Sequence, residues 1–271
     1  MDDILRMLDA RASEIEEIFT DTEADSIAAL RSALSHLSWA LTAKPIPKQR
    51  RHITAAIYSS RVIQHAYGFY RLTRLGNAAS AEIVSRAALE AAFVVGALAK
   101  DANFSDEKDF FKCLTYKSKS AQKKALEGFL ETARQLSSQE RERIGEQISK
   151  LRTELVELEP HRMSKTIAIA RAAGMEDFYA REYAHQSRAV HSDLEALANE
   201  HVANVQGELT LRGPSFTLND AKFQIACLIA AVMETATSMA QLLNLEIHDA
   251  ETKRIEDASA FCCAAFNATD L

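Results

Sequence analysis

Long stretches of this chain repeat apolar residues at three- and four-residue steps with no helix breaker between them. Ile27, Leu30, Leu34, Leu37 and Leu41 follow this rule, and so do Ile53, Ile57, Ser60, Ile63, Tyr67 and Tyr70. Such steps keep side chains on one face of a helix with about 3.6 residues per turn, so each run can bury itself as a helix. Only 8 glycines and 4 prolines occur in 271 residues, which leaves few sites for the turns a β fold needs. The spacing predicts an all-α fold, a multi-helix bundle. One stretch departs from it: Val205 to Leu218 holds Gly207, Gly213 and Pro214 and reads as a short loop or β-hairpin near 205–218.

The breakers that do occur set the boundaries. Lys44-Pro-Ile-Pro47 ends the helix before it, because a proline lacks the N–H and restricts its predecessor. This divides the chain into an N-terminal helical hairpin appendage, 1–46, suited to self-association, and a main helical-bundle domain, 47–271. Gly76-Asn77 stops a helix begun near Lys48, and Gly174 stops a short one. Ser137-Ser138 opens a charged helix, and Asn219-Asp220 caps a long last core helix. The apolar run Ile225 to Leu243 is interrupted by Glu234, Thr235 and Gln241, so a buried core helix fits it better than a membrane span. Met1 to Thr20 is charged and amphipathic, unlike a secretory signal. Cys113, Cys227, Cys262 and Cys263 include no C-x-x-C pair, and the vicinal pair is poorly shaped for a disulfide. They read as reduced thiols of a cytoplasmic protein. A net charge of -6 excludes a general basic coat for nucleic acid.

Two clusters break the apolar pattern. Arg86 and Glu90 stand one turn apart inside the run Ile83 to Ala99, with Ile83, Val94 and Ala97 extending their face. Tyr183, Ser187 and His191 follow at steps of four, sharing a face with Val190, Leu194 and Ala198. Arg181, His185, Arg188 and Ser192 fall on the opposite, water-facing side. A buried ion pair must have its desolvation offset by further hydrogen bonds. The two clusters are therefore expected to meet, with Glu90 accepting from the second cluster and Arg86 stacking on Tyr183.

This R-x-x-x-E helix, followed by a long charged insert and then Y-x-x-x-S-x-x-V-H, resembles a bacterial family of proteins, domain-of-unknown-function family 5677. The resemblance runs from about Ile53 to His201 and takes in Lys100-Asp101, Phe110 to Lys124 and Ala172 to Tyr179. It implies an all-helical bundle and carries Arg86, Glu90, Tyr183, Ser187 and His191 as motif residues; it implies no activity. A more distant similarity is to HEPN-type helical-bundle ribonucleases of prokaryotic defence and toxin systems. Those set an arginine a few residues ahead of a histidine across a dimer interface. Here Arg188 and Arg181 stand at other spacings from His191 and His185. A mechanism of that kind would need Arg86, from another helix, in the arginine's place. The expectation of a homodimer rests on this similarity alone.

The chemistry of the clusters admits two classes of function. One is a metal-independent ribonuclease-like effector of a bacterial defence or toxin system. In it His191 is base or acid, Arg86 clamps the phosphate, and Tyr183 or Ser187 positions the substrate beside Glu90. Lys112, Lys117, Lys119, Lys123 and Lys124 would then guide the RNA backbone. The alternative is a non-catalytic interaction or small-ligand-binding module whose polar cluster is structural, or recognises a carboxylate or phosphate through Arg86. No cofactor and no metal is expected. Glu182 and His185 give one Glu-x-x-His where a di-iron bundle needs two, and there is no P-loop, G-x-G-x-x-G or G-x-S-x-G.

Overall fold

The computed structural model describes residues 13, 16–18, 23–100, 107–133, 136–159, 166–183, 202–205, 208–211 and 218–267. Among these, eight helices of seven residues or more carry the fold: α1 (Glu23–Thr42), α2 (Arg50–Thr73), α3 (Ala78–Lys100), α4 (Glu107–Thr132), α5 (Ser138–Leu158), α6 (Thr166–Ala172), α7 (Leu218–Leu242) and α8 (Asp249–Asn267). The protein is all-α apart from one antiparallel hairpin, β1 (Val202–Val205) with β2 (Glu208–Leu211), in which Val202 pairs with Leu211 and Val205 with Glu208. The hairpin starts three residues ahead of the segment in which the glycines announced it.

The contacts divide the chain into two compact units, residues 1–100 with 169–271, and residues 101–168. These divisions differ from the proline boundary. In the first unit α3 packs against α2 and α7, α1 against α7 and α8, and α7 against α8. Its centre is α3 and α7. Residues Ala88, Leu89, Ala91 to Leu98 and Ile225 to Ile229 are all buried. Alanines recur along both helices, with Gly96 on α3, and small side chains let helix axes approach closely. Buried hydroxyls bond back to their own helices: Ser59 Oγ donates to the Ala55 carbonyl at 2.8 Å and Thr235 Oγ1 to that of Ala231 at 2.7 Å. Helix α7 is long and apolar enough to cross a membrane by length and composition, and 67% of its most apolar stretch is buried inside the protein. Asp220 is the third residue of the helix, in its first turn, where a cap was expected.

Helix α2 buries a different face from the expected one. Ala55, Ser59, Val62, Ala66, Phe69 and Thr73 point inward, whereas Ile53, Ile57, Tyr67 and Tyr70 are exposed. Ser60 is exposed as well. The inward set is smaller, and closeness explains it: a Cβ placed on Gly68 would stand 3.5 Å from Val84 Cγ1 of α3. Two apolar stripes compete on α2, and the one compatible with close axes wins. Ile83 is likewise exposed, while Val94 and Ala97 are buried.

Helix ends follow local rules. Gly76 and Gly174 adopt φ of 63° and 67°, the left-handed region glycine enters without strain. At each, the next residue's N–H reaches back to satisfy an orphan carbonyl, Asn77 to Leu72 at 2.9 Å and Met175 to Ala170 at 2.8 Å. In the second unit α4 and α5 form a helical hairpin. Ser137 opens α5 with a reciprocal capping box: Ser137 Oγ accepts from the Glu140 N–H, and Glu140 accepts from the Ser137 N–H at 2.8 Å. All four cysteines are free thiols.

Candidate functional site

Everything in the site hangs on how α3 meets the segment after Gly174. That glycine reverses the chain. A helical turn at Glu176–Phe178 follows, and then a π-helical turn at Tyr179–Tyr183. Bidentate pairing of Arg171 with Glu176 ties the reversal, with Nη2–Oε1 at 2.5 Å and Nε–Oε2 at 3.0 Å. Those donors hold the exposed Glu176 carboxyl below its ordinary pKa. The segment lies close along α3. A Cβ on Gly96 would come within 2.8 Å of Ala173 Cβ, so glycine is required there. Further along, Tyr179 and Tyr183 stack with centroids 4.8 Å apart, and Phe93 meets the Tyr183 ring edge-on at 5.9 Å. The wide π turn lets both phenol rings rest on one phenylalanine.

That packing brings the Tyr183 hydroxyl between Arg86 and Glu90. Arg86 Nη2 donates to Tyr183 Oη at 2.9 Å, and Tyr183 Oη donates to Glu90 Oε1 at 2.7 Å. Arg86 Nε stands 3.6 Å from the same carboxylate oxygen, and the guanidinium carbon lies 4.8 Å from the Tyr183 ring centroid. Exposure is graded across the three groups. Tyr183 is 5% exposed, the Arg86 side chain 12% and the Glu90 side chain 35%. The guanidinium and phenol are enclosed, while the carboxylate reaches solvent.

Helix α2 adds groups that the sequence patterning did not single out. Half-buried His65 has its pKa lowered, first by burial, then by Arg61, with Glu90 opposing both. Burial raises the Tyr58 phenol, and Arg61 opposes that. Glu90 therefore acts electrostatically on an imidazole of α2 as well as accepting from a phenol beside a guanidinium. The signal was available, since Tyr58, Arg61, His65 and Gly68 follow at steps of three and four; it was obscured by the larger residues of the competing stripe.

Of the five motif residues, the structure brings together Arg86, Glu90 and Tyr183. Ser187 and His191 lie outside the described residues, as do His185, Arg188 and Ser192. The lysines of the proposed RNA path are on α4. Lys119 Nζ lies 2.5 Å from Glu154 and Lys123 Nζ 3.2 Å from Glu127, while Lys124 is exposed. No group of three or more histidines, cysteines or carboxylates able to hold a metal occurs among the described residues.

The sequence model of one family, described as a family of unknown function (DUF5677), matches residues 52–208, more than half of the chain. The match spans the R-x-x-x-E helix and all five motif residues. No curated protein and no solved structure matches the chain.

Proposed function

The chain belongs to the DUF5677 family, and from that premise we propose that its Arg86–Tyr183–Glu90 network is the fixed floor of a metal-independent ribonuclease site. One observation carries this reading. The Glu90 carboxylate is held by a phenol and a guanidinium that are both nearly enclosed, yet it stays 35% exposed. Burial strips an ion pair of its hydration and does not by itself favour sealing it, whereas a carboxylate that is held by fixed donors and stays partly exposed can meet a solute. Cleavage by a ribose 2′-hydroxyl needs a proton acceptor, a proton donor and a cation for the charge that gathers on phosphorus. In this reading Arg86 supplies the cation, His191 transfers a proton, Tyr183 and Ser187 position the phosphate, and Glu90 orients the neighbouring groups. Lys117 and Lys124, the exposed members of the α4 series, lead the RNA contact, with Lys112, Lys119 and Lys123 behind them. The working form is a cytoplasmic homodimer acting as a defence or toxin effector.

The test is induction of wild type and His191→Ala side by side, with total RNA inspected in the presence of EDTA. Slowed growth and fragmented RNA for wild type alone support the reading. Equal growth and intact RNA in both remove it and leave the second reading, a non-catalytic interaction or ligand-binding module. The completeness of the bond chain from Arg86 through Tyr183 to Glu90 favours that second reading, because it can fix the 179–183 turn on α3 without any substrate.

A further inference from the structure

Helix α2 leaves its large residues in water. Ile53, Ile57, Tyr67 and Tyr70 on α2, Leu75 in the turn after it and Ile83 on α3 are each between 37% and 66% exposed. They make up six of the ten exposed large hydrophobic residues among the described residues. The other four, Phe129, Val156, Leu218 and Ile247, are divided among α4, α5, the start of α7 and the segment before α8. Single exposed apolar residues need no partner, whereas a strip of them marks a contact surface. The rest of the face has the composition of such a surface. Ser60 and Gln64 lie between the isoleucines and the tyrosines, with Arg61 and Arg71 exposed beside them. From Arg50 to Thr73 there is no aspartate, glutamate or lysine, in a chain that has 38 acidic residues. Protein contacts favour tyrosine and arginine and exclude lysine and carboxylates. Among the described residues the phenols of Tyr67 and Tyr70 have no hydrogen-bond or ring partner, and Arg61 and Arg71 form no ion pair. These side chains are uncommitted within the single chain.

We propose that this face of α2 is the two-fold contact on which a second copy of the chain docks, α2 antiparallel to α2. The proposal takes the homodimer from the reading above, names its surface, and is independent of the ribonuclease chemistry. The pattern of the face supplies both halves of such a contact. Ile57 and Tyr67 stand equally far from Val62, and so do Ile53 and Arg71. A two-fold axis at the height of Val62 sets Ile57 level with Tyr67 of the second copy, and Ile53 level with its Arg71, whose stem covers it. At about 100° per residue, Ile57 and Tyr67 fall on either side of the line through Ile53 and Arg71, so they pass beside one another instead of colliding. Ser60 and Gln64 bracket the crossing. Helix α1, in the segment expected to self-associate, spends Leu30 and Leu37 inside the unit, where it packs on α7 and α8. Half the surface of a helix about 36 Å long comes to roughly 600 Å² per copy, and Leu75 and Ile83 extend it. A standard interface takes about 800 Å² per partner, so this dimer belongs to the reversible class. Arginines of both copies rim the contact, and salt screens their repulsion, so the dimer tightens as salt rises.

Sedimentation velocity of the full chain at about 1–100 µM tests this, comparing wild type, Ile57→Glu, Tyr67→Glu and Val156→Glu. Val156 is 74% exposed on α5 and lies outside the face, so its variant is the control. The expected result is a reversible dimer for wild type and Val156→Glu, and monomers for both α2 variants with unchanged circular dichroism. The double variant Ile57→Lys, Tyr67→Glu places opposite charges at the paired heights and should recover the dimer, now loosening with salt; a monomeric double variant overturns the antiparallel pairing. A wild type that is monomeric throughout overturns the proposal and the homodimer together. A dimer that survives both glutamate variants overturns the α2 contact and leaves the homodimer to another surface. A wild-type dimer that loosens with salt puts carboxylates in the contact and also overturns it. None of these outcomes depends on RNA cleavage, so the ribonuclease reading stands or falls separately.

Discussion

Two carboxylates of the first unit each gather a cation and an aromatic ring, and they end in opposite situations. Glu90 takes the hydroxyl of Tyr183 and the charge of Arg86 and remains one-third exposed. Glu251, on α8, accepts from Arg254 and lies 2.8 Å from Nδ1 of His36 on α1, with its side chain only 6% exposed. His36 is fully buried, stacks on Trp39 at 5.3 Å, and has an Nε2 that meets no hydrogen-bond partner among the described residues. The carboxylate is an acceptor, which assigns the His36 proton to Nδ1. Similar chemistry therefore does different work. The Glu251 cluster joins α1 to α8 across a sealed contact and has no route to a solute. The Glu90 cluster joins α3 to the 179–183 turn and leaves the Glu90 side chain one-third exposed. Depth, not residue type, separates the two clusters.

The sharpest way to break this contrast is Glu251→Ala. It strands a buried imidazole and part of a guanidinium, so a loss of about 3–5 kcal/mol is expected in urea unfolding. A loss below about 1 kcal/mol would show that water reaches the cluster and that the two carboxylates do not differ as described. Tyr183→Phe should cost less, about 1 kcal/mol in the same assay. It removes the hydroxyl bridge, but Arg86 keeps its stacking and its 3.6 Å approach to Glu90, and water can reach the carboxylate. Equal losses in the two variants would mean that Glu90 is as sealed as Glu251. The smallest effect concerns pH. His65 titrates lower when folded than its ordinary 6.5, so the unfolded chain binds more protons just below that value. This contribution is fully present above pH 6.5 and is lost as pH falls through the folded midpoint. The drop in melting temperature between pH 7 and pH 5 should be shallower in His65→Gln than in wild type, and parallel profiles would show that burial and Arg61 do not lower the His65 pKa.

Much of the architecture can be read from spacing. In the α1 series Leu30 and Leu37 are buried and Ile27, Leu34 and Leu41 half-buried, with Ala29, Ala33 and Ala40 completing the buried face. Gly76, Gly174 and Ser137 mark ends where the structure places them, because capping is settled within a few residues. Helix α2 is the counterexample. Its large residues, Ile53, Ile57 and Tyr67, form as good a stripe as Ala55, Val62 and Ala66, and a one-dimensional pattern ranks the larger set first. The same error hid His65, which flanks the small-residue face.

The sequence alone determined that the chain is helical, where most helices stop, and that Arg86 and Glu90 share a turn. These depend on contacts within about four residues, which periodicity records. Only the tertiary structure decided which face of α2 is buried, that Tyr183 fits between Arg86 and Glu90, and that Glu90 faces water while Glu251 does not. Those outcomes depend on how closely helix axes approach and on which side chains arrive from about a hundred residues or more away, and no local pattern encodes either.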